Sequence, residues 1–312
     1  MKLLRTKAEL HAHLNGSVPF SAVRELTVGA LNPDDYLIQR PVPDLESYFL
    51  PWAVSRILAD SPKKLLRLTS AVAKAFAEDG VRYAELRNSV RHLAHLNGIT
   101  LARAIEWLLD AFELASGYHN IDLRLIVTLT REGFCQDYAE QILDVCSRHR
   151  HNVRLVGIDL AGNELLPIPL TASRIFRRAS EELGLGVTIH AGEVAGTEPN
   201  IEWAIKQCKA DRIGHAIEAA KNEYLLQLIS ETDTCIEVCM HSNWLTSSVP
   251  DPSAHPVSVF VERNVPFVIC TDNPGIHARP LSKEYDQFLA LTNSSALLDE
   301  MLARQMRYSF KR

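Results

Sequence analysis

Two histidines lie two residues apart near the start of the chain, within Glu9–Leu14. If this segment is a β-strand, the alternation of side chains directs His11 and His13 to one face and Leu10 and Ala12 to the other. Two imidazoles on one face can bind a divalent metal ion, whereas the same spacing on a helix would separate them. Two incidental histidines are the alternative, because so short a motif often occurs by chance.

Two further potential ligands follow β-rich runs later in the chain. His190 comes directly after residues 187–189, and Asp272 follows residues 267–271. Each has an explanation without a metal, since a histidine at a strand end can be buried in the core and Asp-Asn-Pro-Gly is a good turn sequence. Together with His11 and His13, they predict one metal ion per chain. Three imidazoles and one carboxylate favour Zn²⁺, with Fe²⁺, Co²⁺ and Mn²⁺ as alternatives.

An acid or base and a second polar group complete a hydrolytic set. Glu193 follows His190 by three residues, so the loop that begins at His190 carries a general acid/base candidate. His215 ends the run Arg212–His215, and its imidazole could orient a water molecule that the metal activates. The alternatives are that Glu193 merely neighbours a helix start and that His215 is a buried packing residue.

The elements that must position these groups follow a regular rhythm. Helical patterns, such as those at 62–78 and 102–116, separate short β-rich runs, which favours a parallel sheet. The eight runs are Ala8–His13, Arg82–Arg87, Arg124–Leu129, Leu155–Leu160, Val187–His190, Arg212–His215, Cys235–Met240 and Phe267–Thr271. Eight units predict an α/β fold, a closed (β/α)₈ barrel with its active site at the carboxyl ends of the strands. An open doubly wound sheet is the alternative, but no G-x-G-x-x-G follows an early strand.

Bulk properties exclude several classes of protein. The 312 residues suit one barrel domain over 1–312, and 46% hydrophobic with 23% charged residues is typical of a globular chain. A net charge of −5 gives no basic footprint for nucleic acid. Without an apolar signal core or a run of membrane-spanning length, a cytoplasmic location without membrane binding is expected. Cys235, Cys239 and Cys270 lie in apolar runs and are predicted to be buried free thiols.

With these residues assembled, the chain resembles the adenosine deaminase family over nearly its whole length. Six segments in the family's order carry the resemblance: Glu9–Ser17, Tyr83–Arg87, Gly157–Glu164, His190–Glu193, Arg212–His215 and Thr271–Gly275. The resemblance implies a zinc enzyme that replaces the 6-amino group of a purine with water. Small-molecule purines are then its expected partners.

The resemblance also assigns roles residue by residue. It implies that Glu193 protonates purine N1 and that His215 helps to hold the attacking water. The implied zinc ligands are His11, His13, His190 and Asp272. The implied substrate contacts are His13, Asn15, the backbone of Gly162, and Asn273, which would face purine N7.

Asn15 departs from the classical nucleoside enzymes, which carry Asp near the ribose 5′ end. An amide removes the negative charge that would repel a 5′-phosphate, and it can donate a hydrogen bond to one. The related N6-methyl-AMP deaminases carry Asn in this motif. The alternative is that Asn15 serves a 5′-hydroxyl equally well.

Three other departures concern the pocket. The departure at Asn273 is a mild chemical change, because its amide NH₂ can donate a hydrogen bond to purine N7. His241 replaces a residue that is usually Thr or apolar, so it either contacts the substrate or fills space. The segment between Ser17 and Phe49, part of the lid in relatives, is short, and it leads to the N6 pocket expected near Phe49, Leu50 and Trp52.

The leading hypothesis is therefore zinc-dependent hydrolytic deamination of a 6-aminopurine nucleoside, of the adenosine-to-inosine type. A deaminase of N6-methyl-AMP or a related purine nucleotide is the first alternative. A non-catalytic purine-binding protein of the same fold is the second, and a barrel hydrolase of another amide or ester is a further rival. The sequence does not predict the oligomeric state.

Overall fold

A computed structural model describes residues 7–29, 31–43 and 45–311. Eight strands form one parallel sheet in these residues, in the spatial order in which they occur along the chain. The strands are β1 Lys7–His13, β2 Val81–Asn88, β3 Asp122–Thr130, β4 Leu155–Ala161, β5 Gly186–Ala191, β6 Arg212–His215, β7 Cys235–Val238 and β8 Phe267–Ile269. Helices alternate with the strands, as the sequence predicts.

The α-helices of the described residues are α1 Phe20–Leu26, α2 Leu45–Leu58, α3 Pro62–Glu78, α4 Val90–Asn97, α5 Leu101–His119, α6 Gln136–Arg148, α7 Ser173–Glu181, α8 Glu198–Lys206, α9 Glu223–Glu231, α10 Met240–Leu245, α11 Val257–Glu262, α12 Leu281–Thr292 and α13 Ser295–Arg304. Short 3₁₀ helices lie at Asn15–Ser17, Pro33–Asp35, Leu170–Ala172, Ile217–Lys221, Pro252–Ala254 and Gln305–Tyr308. Helix α3 has the predicted bounds, because Ser61 caps its first turn and Pro62 is its first residue.

The sheet closes into a barrel where the chain passes beyond β8. Asp272 pairs in parallel with Ala12 of β1. The amide of His13 donates to the carbonyl of Asp272 over 2.9 Å, and the amide of Asp272 donates to the carbonyl of His11 over 2.8 Å. The predicted (β/α)₈ barrel is confirmed, and its closure point holds three of the four predicted metal ligands.

Strand β1 does not follow simple alternation. Its register against β2 shifts between Glu9 and Ala12, which marks a β-bulge. Leu10 packs in a small buried cluster with residues such as Tyr83 and Cys235, whereas Ala12 belongs to the larger core. The prediction that Leu10 and Ala12 share a face was therefore wrong, because the bulge changes the direction of the side chains within the strand.

The predicted seventh and eighth strands also end earlier than expected. Strand β7 stops at Val238, because the chain turns at Cys239 and begins α10 at Met240. Strand β8 stops at Ile269. Cys235, Cys239 and Cys270 are buried free thiols, as predicted. No helix in the described ranges has the length and apolar character needed to cross a membrane.

Candidate metal and acid–base site

Four predicted ligands converge at the carboxyl end of the barrel. One ligand atom from each of His11, His13, His190 and Asp272 lies within 4.8 Å of the other three. The Nε2 atom of His13 is 3.2 Å from Nε2 of His190 and 3.3 Å from Oδ1 of Asp272. Three imidazoles and one carboxylate at this spacing fit a divalent cation such as Zn²⁺.

The ring nitrogens on the far side of two histidines are bonded to buried carboxylates. His11 Nδ1 lies 2.6 Å from Oε2 of Glu237, and His190 Nδ1 lies 3.0 Å from Oδ1 of Asp159. A proton on each Nδ1 donates to its carboxylate and leaves a lone pair on Nε2, which is the tautomer a metal ligand requires. For His11, Nη1 of Arg87 also lies 3.3 Å from Nε2. Glu237 and Asp159 therefore orient the two imidazoles for binding.

Glu237 is itself held by two arginines inside the barrel. Arg87 Nη2 and Arg212 Nε donate to its two oxygens over 2.5 and 2.6 Å, and all three side chains are fully buried. Both guanidinium groups also donate to the carbonyl of Leu10, at the β-bulge. Burial alone would raise the pKa of Glu237, but the charges of Arg87 and Arg212 hold it well below its ordinary value. This carboxylate is therefore charged and fixed.

The electrostatics of the cluster favour a bound cation. Burial lowers the pKa of His190 to about 4 and that of His13 well below its ordinary value, so both imidazoles are neutral at pH 7. Burial and Arg87 oppose a proton on His11, yet the carboxylates of Glu237 and Asp272 raise its pKa. Negative charge thus predominates around the ligand atoms of His11 and Asp272, where a divalent cation would be stabilised.

Asp272 is fixed by contacts beyond the cluster. Its Oδ2 accepts hydrogen bonds from the hydroxyl of Ser242 over 2.6 Å and from that of Tyr48 over 3.3 Å. Its backbone φ of 64° lies in the left-handed region, which non-glycine residues adopt at an energetic cost. Barrel closure on both sides of the residue holds this conformation. Oδ1 is thereby directed at His13, as the ligand assignment requires.

The predicted acid–base pair lies beside the ligands. His215 Nε2 is 3.6 Å from Oε2 of Glu193. The other oxygen of Glu193 accepts from the hydroxyl of Thr246 over 3.0 Å, and the amide of Asn243 donates to His215 Nδ1 over 3.0 Å. An amide donor on Nδ1 places the proton of a neutral His215 on Nε2, which faces Glu193. Burial raises the pKa of Glu193, so this carboxyl holds a proton more readily than an exposed one.

Glu164 holds the loop that carries Glu193. Its carboxylate accepts backbone hydrogen bonds from Gly192, Glu193 and Val194 over 2.7, 2.8 and 3.3 Å. A carboxylate that accepts several N–H groups is strongly held, so the loop after β5 is fixed rather than free to move. The position of the Glu193 side chain follows from that anchor.

The ligands and the acid–base pair open into one cavity of about 880 Å³. All four predicted substrate-contact residues line it: His13, Asn15, Gly162 and Asn273. Gly162 has a φ of 102°, and a Cβ atom there would lie 2.1 Å from a carboxylate oxygen of Glu132. The positive φ favours glycine here, whereas the Glu132 carboxylate is the end of a flexible side chain and can move aside. The roles of these four residues stay predictions.

The predicted hydrogen bond from Asn273 to purine N7 depends on how its side-chain amide is oriented. Its Nδ2 donates to the hydroxyl of Tyr48 over 2.9 Å, and its buried Oδ1 has no partner in the described part of the chain. An oxygen cannot donate to purine N7. The predicted contact therefore requires the amide to rearrange, because Nδ2 already donates to Tyr48 and the buried Oδ1 lies beside the backbone of Gly16.

The expected N6 pocket is only partly as predicted. Phe49 and Trp52 of α2 line the cavity, but Leu50 does not and is 67% exposed. Leu50 was therefore wrongly included, because it lies on the outer side of α2. His241 does not line the cavity either; its ring packs against Trp244 and His277 at centroid distances of 5.4 and 5.8 Å. Of the two predicted roles for His241, the structure supports space filling.

Sequence reasoning missed the residues that support the site. Asp159 and Glu164 lie in a segment that carries the family resemblance, and Asn243 lies two residues after His241, but none of the three was assigned a role. Glu237 carried a usable signal, because a carboxylate within Cys-Ile-Glu-Val must be paired if this short strand is buried. Its partner on β1 is 226 positions away in the sequence.

Comparisons with known proteins agree over nearly the whole chain. A family model described as Adenosine deaminase matches residues 6–311. The adenosine deaminase of Erwinia tasmaniensis is 32% identical over 291 residues, which cover 89% of this chain and 85% of that protein. The structure of Arabidopsis N6-mAMP deaminase is 26% identical, with a TM-score of 0.84 and coverage of 98% and 94%. The structure of Arabidopsis ADAL complexed with IMP is also 26% identical, with a TM-score of 0.83 and coverage of 98% and 92%.

Proposed function

Since the chain belongs to the adenosine deaminase family of metal-dependent aminohydrolases, we propose that it uses one Zn²⁺ to deaminate a 6-aminopurine nucleoside, converting adenosine to inosine. The observation that carries this proposal is the position of Glu193, 3.6 Å from His215 and beside the four-ligand cluster. A purine-binding protein without catalysis has no need for a buried carboxyl of raised pKa at that point.

His11, His13, His190 and Asp272 would hold the zinc ion. When bound there, Zn²⁺ lowers the pKa of water and so supplies a nucleophile near neutral pH. The carboxylates behind His11 and His190 keep these rings in the ligand tautomer without further rearrangement. The chain's own work is then to orient the water, hold the purine and deliver protons.

Glu193 is proposed to donate a proton to purine N1. Addition of water at C6 places electron density on N1, and a protonated carboxyl at hydrogen-bond distance neutralises it. Burial raises the pKa of Glu193, so this carboxyl holds a proton more readily than an exposed one. The hydroxyl of Thr246, 3.0 Å from Oε1, directs the side chain.

His215 is proposed to orient the attacking water. The Asn243 amide donates to Nδ1 and so places a ring proton on Nε2, and His255 in turn donates to the carbonyl oxygen of that amide over 3.2 Å. The left-handed backbone of His215, with φ of 67°, is a further sign that this ring is held in position. Asn243→Ala would free the ring without removing any proposed reacting group.

A second candidate is deamination of a purine nucleotide such as N6-methyl-AMP. Asn15 lines the cavity and places no negative charge at the expected ribose end. The Arabidopsis relatives of similar fold include an N6-mAMP deaminase and a protein complexed with IMP. For this candidate the leaving group is methylamine, and the product is IMP.

A substrate panel tests both candidates. Zinc-loaded protein is incubated with adenosine, AMP and N6-methyl-AMP, and the released ammonia or methylamine is measured together with the purine product. Turnover of adenosine supports the first candidate, and turnover of N6-methyl-AMP alone supports the second. No product from any of the three would contradict the proposed function.

A further inference from the structure

One wall of the cavity is basic. It consists of Arg56 from α2 and of Arg91, His92 and His95 from α4, all of which line the same cavity as the metal ligands. We call these four residues the basic wall. The mechanism proposed above gives none of them a task, although they lie inside the proposed substrate site.

Arg56 is the least satisfied member of the basic wall. Its guanidinium is half-buried and lies 5.6 Å from the ring of Trp52. In the described ranges it forms no ion pair and no hydrogen bond, and Glu132 is the only carboxylate whose charge acts on it appreciably. Partial burial of a guanidinium without a bonded anion costs free energy. Its five N–H donors are therefore available to bind an anionic group.

His92 lies at the centre of the basic wall. Its Nδ1 is buried and has no hydrogen-bond partner within the described residues. Burial lowers its pKa to about 4, and the charges of Arg56, Arg91 and His95 all act in the same direction. Positive charge is therefore concentrated around His92, and an anion bound beside it would raise the pKa of this imidazole.

The start of helix α4 adds to the positive potential. Ser89 is the N-cap residue but makes no side-chain capping bond, and both Asn88 and Ser89 line the cavity. The first-turn N–H groups of a helix attract anions through their partial positive charge. This contribution supports the basic wall but would not define a site alone.

The basic wall lies a short distance from the metal ligands. The ring centroid of Trp52 lies 5.0 Å from that of His13 and 5.6 Å from the guanidinium of Arg56. Arg56 and the ligand His13 thus both lie close to the same aromatic ring in one cavity. A purine with C6 at the metal could extend to Arg56 through its ribose.

We propose that the basic wall binds an anionic group carried by the substrate, and that this group is the 5′-phosphate of a 6-aminopurine nucleotide. Arg56 donates to the phosphate oxygens, and Arg91, His92 and the start of α4 supply the surrounding positive charge. This inference rests on the proposed function and decides between its two candidates in favour of the nucleotide. A neutral nucleoside would leave Arg56 without an acceptor.

The inference is tested by comparing nucleotide with nucleoside in wild type and three variants. Arg56→Ala removes the guanidinium, and Arg56→Lys retains a charge but loses the planar donor set. Arg67→Ala is the matched control, because Arg67 is exposed on α3 and pairs with Glu25 outside the cavity. The specificity constants for AMP and adenosine are measured, or those for N6-methyl-AMP and N6-methyladenosine if these react faster.

Wild type should favour the nucleotide at least about tenfold, and Arg56→Ala should reduce that ratio by at least about tenfold, mainly through KM. Arg56→Lys should lie between the two, and Arg67→Ala should match wild type. Equal preference in wild type, or an unchanged ratio in Arg56→Ala, would overturn the inference while leaving deamination intact.

Calorimetry separates failure of this inference from failure of the proposed function. Binding of IMP and inosine to zinc-loaded protein does not depend on turnover. IMP should bind more tightly, and Arg56→Ala should remove that advantage even if no substrate is deaminated. Inorganic phosphate should weaken IMP binding by competing for the basic wall. Phosphate that bound without weakening IMP binding would show that the anion site lies elsewhere and would overturn the inference.

Discussion

Glu237→Gln should weaken both the fold and the metal site. Glu237 is fully buried and bonds to His11, Arg87 and Arg212 over 2.5 to 2.6 Å. A glutamine has almost the same shape but no charge, so two buried guanidinium groups would lose their shared anion. Removing one partner from a buried charge pair costs about 3–5 kcal/mol. The metal-free variant should lose a free energy of unfolding in that range.

The same substitution should reduce metal affinity through His11. The amide can present its NH₂ group to His11 Nδ1, which favours a proton on Nε2 and blocks the ligand lone pair. Loss of such a supporting carboxylate typically weakens metal binding about 10–100-fold. Competition with a chromophoric chelator measures the affinity, and urea unfolding of the chelator-treated protein measures the stability.

A matched surface carboxylate provides the control. Glu223 pairs with Arg263 over 3.0 Å, but its side chain is 66% exposed. Glu223→Gln should therefore change stability by about 1 kcal/mol or less and leave metal affinity unchanged. If Glu237→Gln behaved like Glu223→Gln in both assays, the reasoning that Glu237 organises the cluster would be refuted.

Three further changes have definite expected results. His190→Ala should lower the zinc content, measured by mass spectrometry after dialysis, from one ion per chain to well below one, and full retention would remove His190 from the ligand set. Asn15→Asp should lower the specificity constant for AMP relative to adenosine at least about tenfold through charge repulsion, and no change would separate Asn15 from the 5′ end. Burial lowers the pKa of His255 to about 3. Below pH 6.5, this imidazole therefore binds a proton in the unfolded chain but stays unprotonated in the folded chain. This group should therefore cost about 1.4 kcal/mol of stability per pH unit as pH falls below about 6.5. His255→Gln should lessen that loss in urea titrations, and identical profiles would contradict the assignment.

The sequence was sufficient to identify functional residues that lie at the ends of predicted strands. His190 and Asp272 were identified because each follows a β-rich run, and the carboxyl ends of barrel strands meet at one face. Helix α3 was predicted with its bounds from apolar positions spaced three and four apart, and its start also carries local signals in Ser61 and Pro62. These features depend on neighbours within a few residues.

Other features depend on contacts that no local pattern encodes. The bulge in β1 results from pairing with β2, so the direction of Leu10 could not be predicted from alternation. The role of Glu237 depends on Arg87, which comes from a different strand. The basic wall joins Arg56 with residues of α4, and only the fold brings them into one cavity.

Glu193→Gln tests the central claim most directly, because that claim gives Glu193 the proton for purine N1. With zinc content confirmed to be unchanged, kcat for the best substrate should fall about 10²–10⁴-fold. Product binding, measured by calorimetry, should stay within about threefold of wild type, since the amide keeps the shape and can still hydrogen-bond. Unchanged kcat, or an equal loss of binding and turnover, would contradict the account.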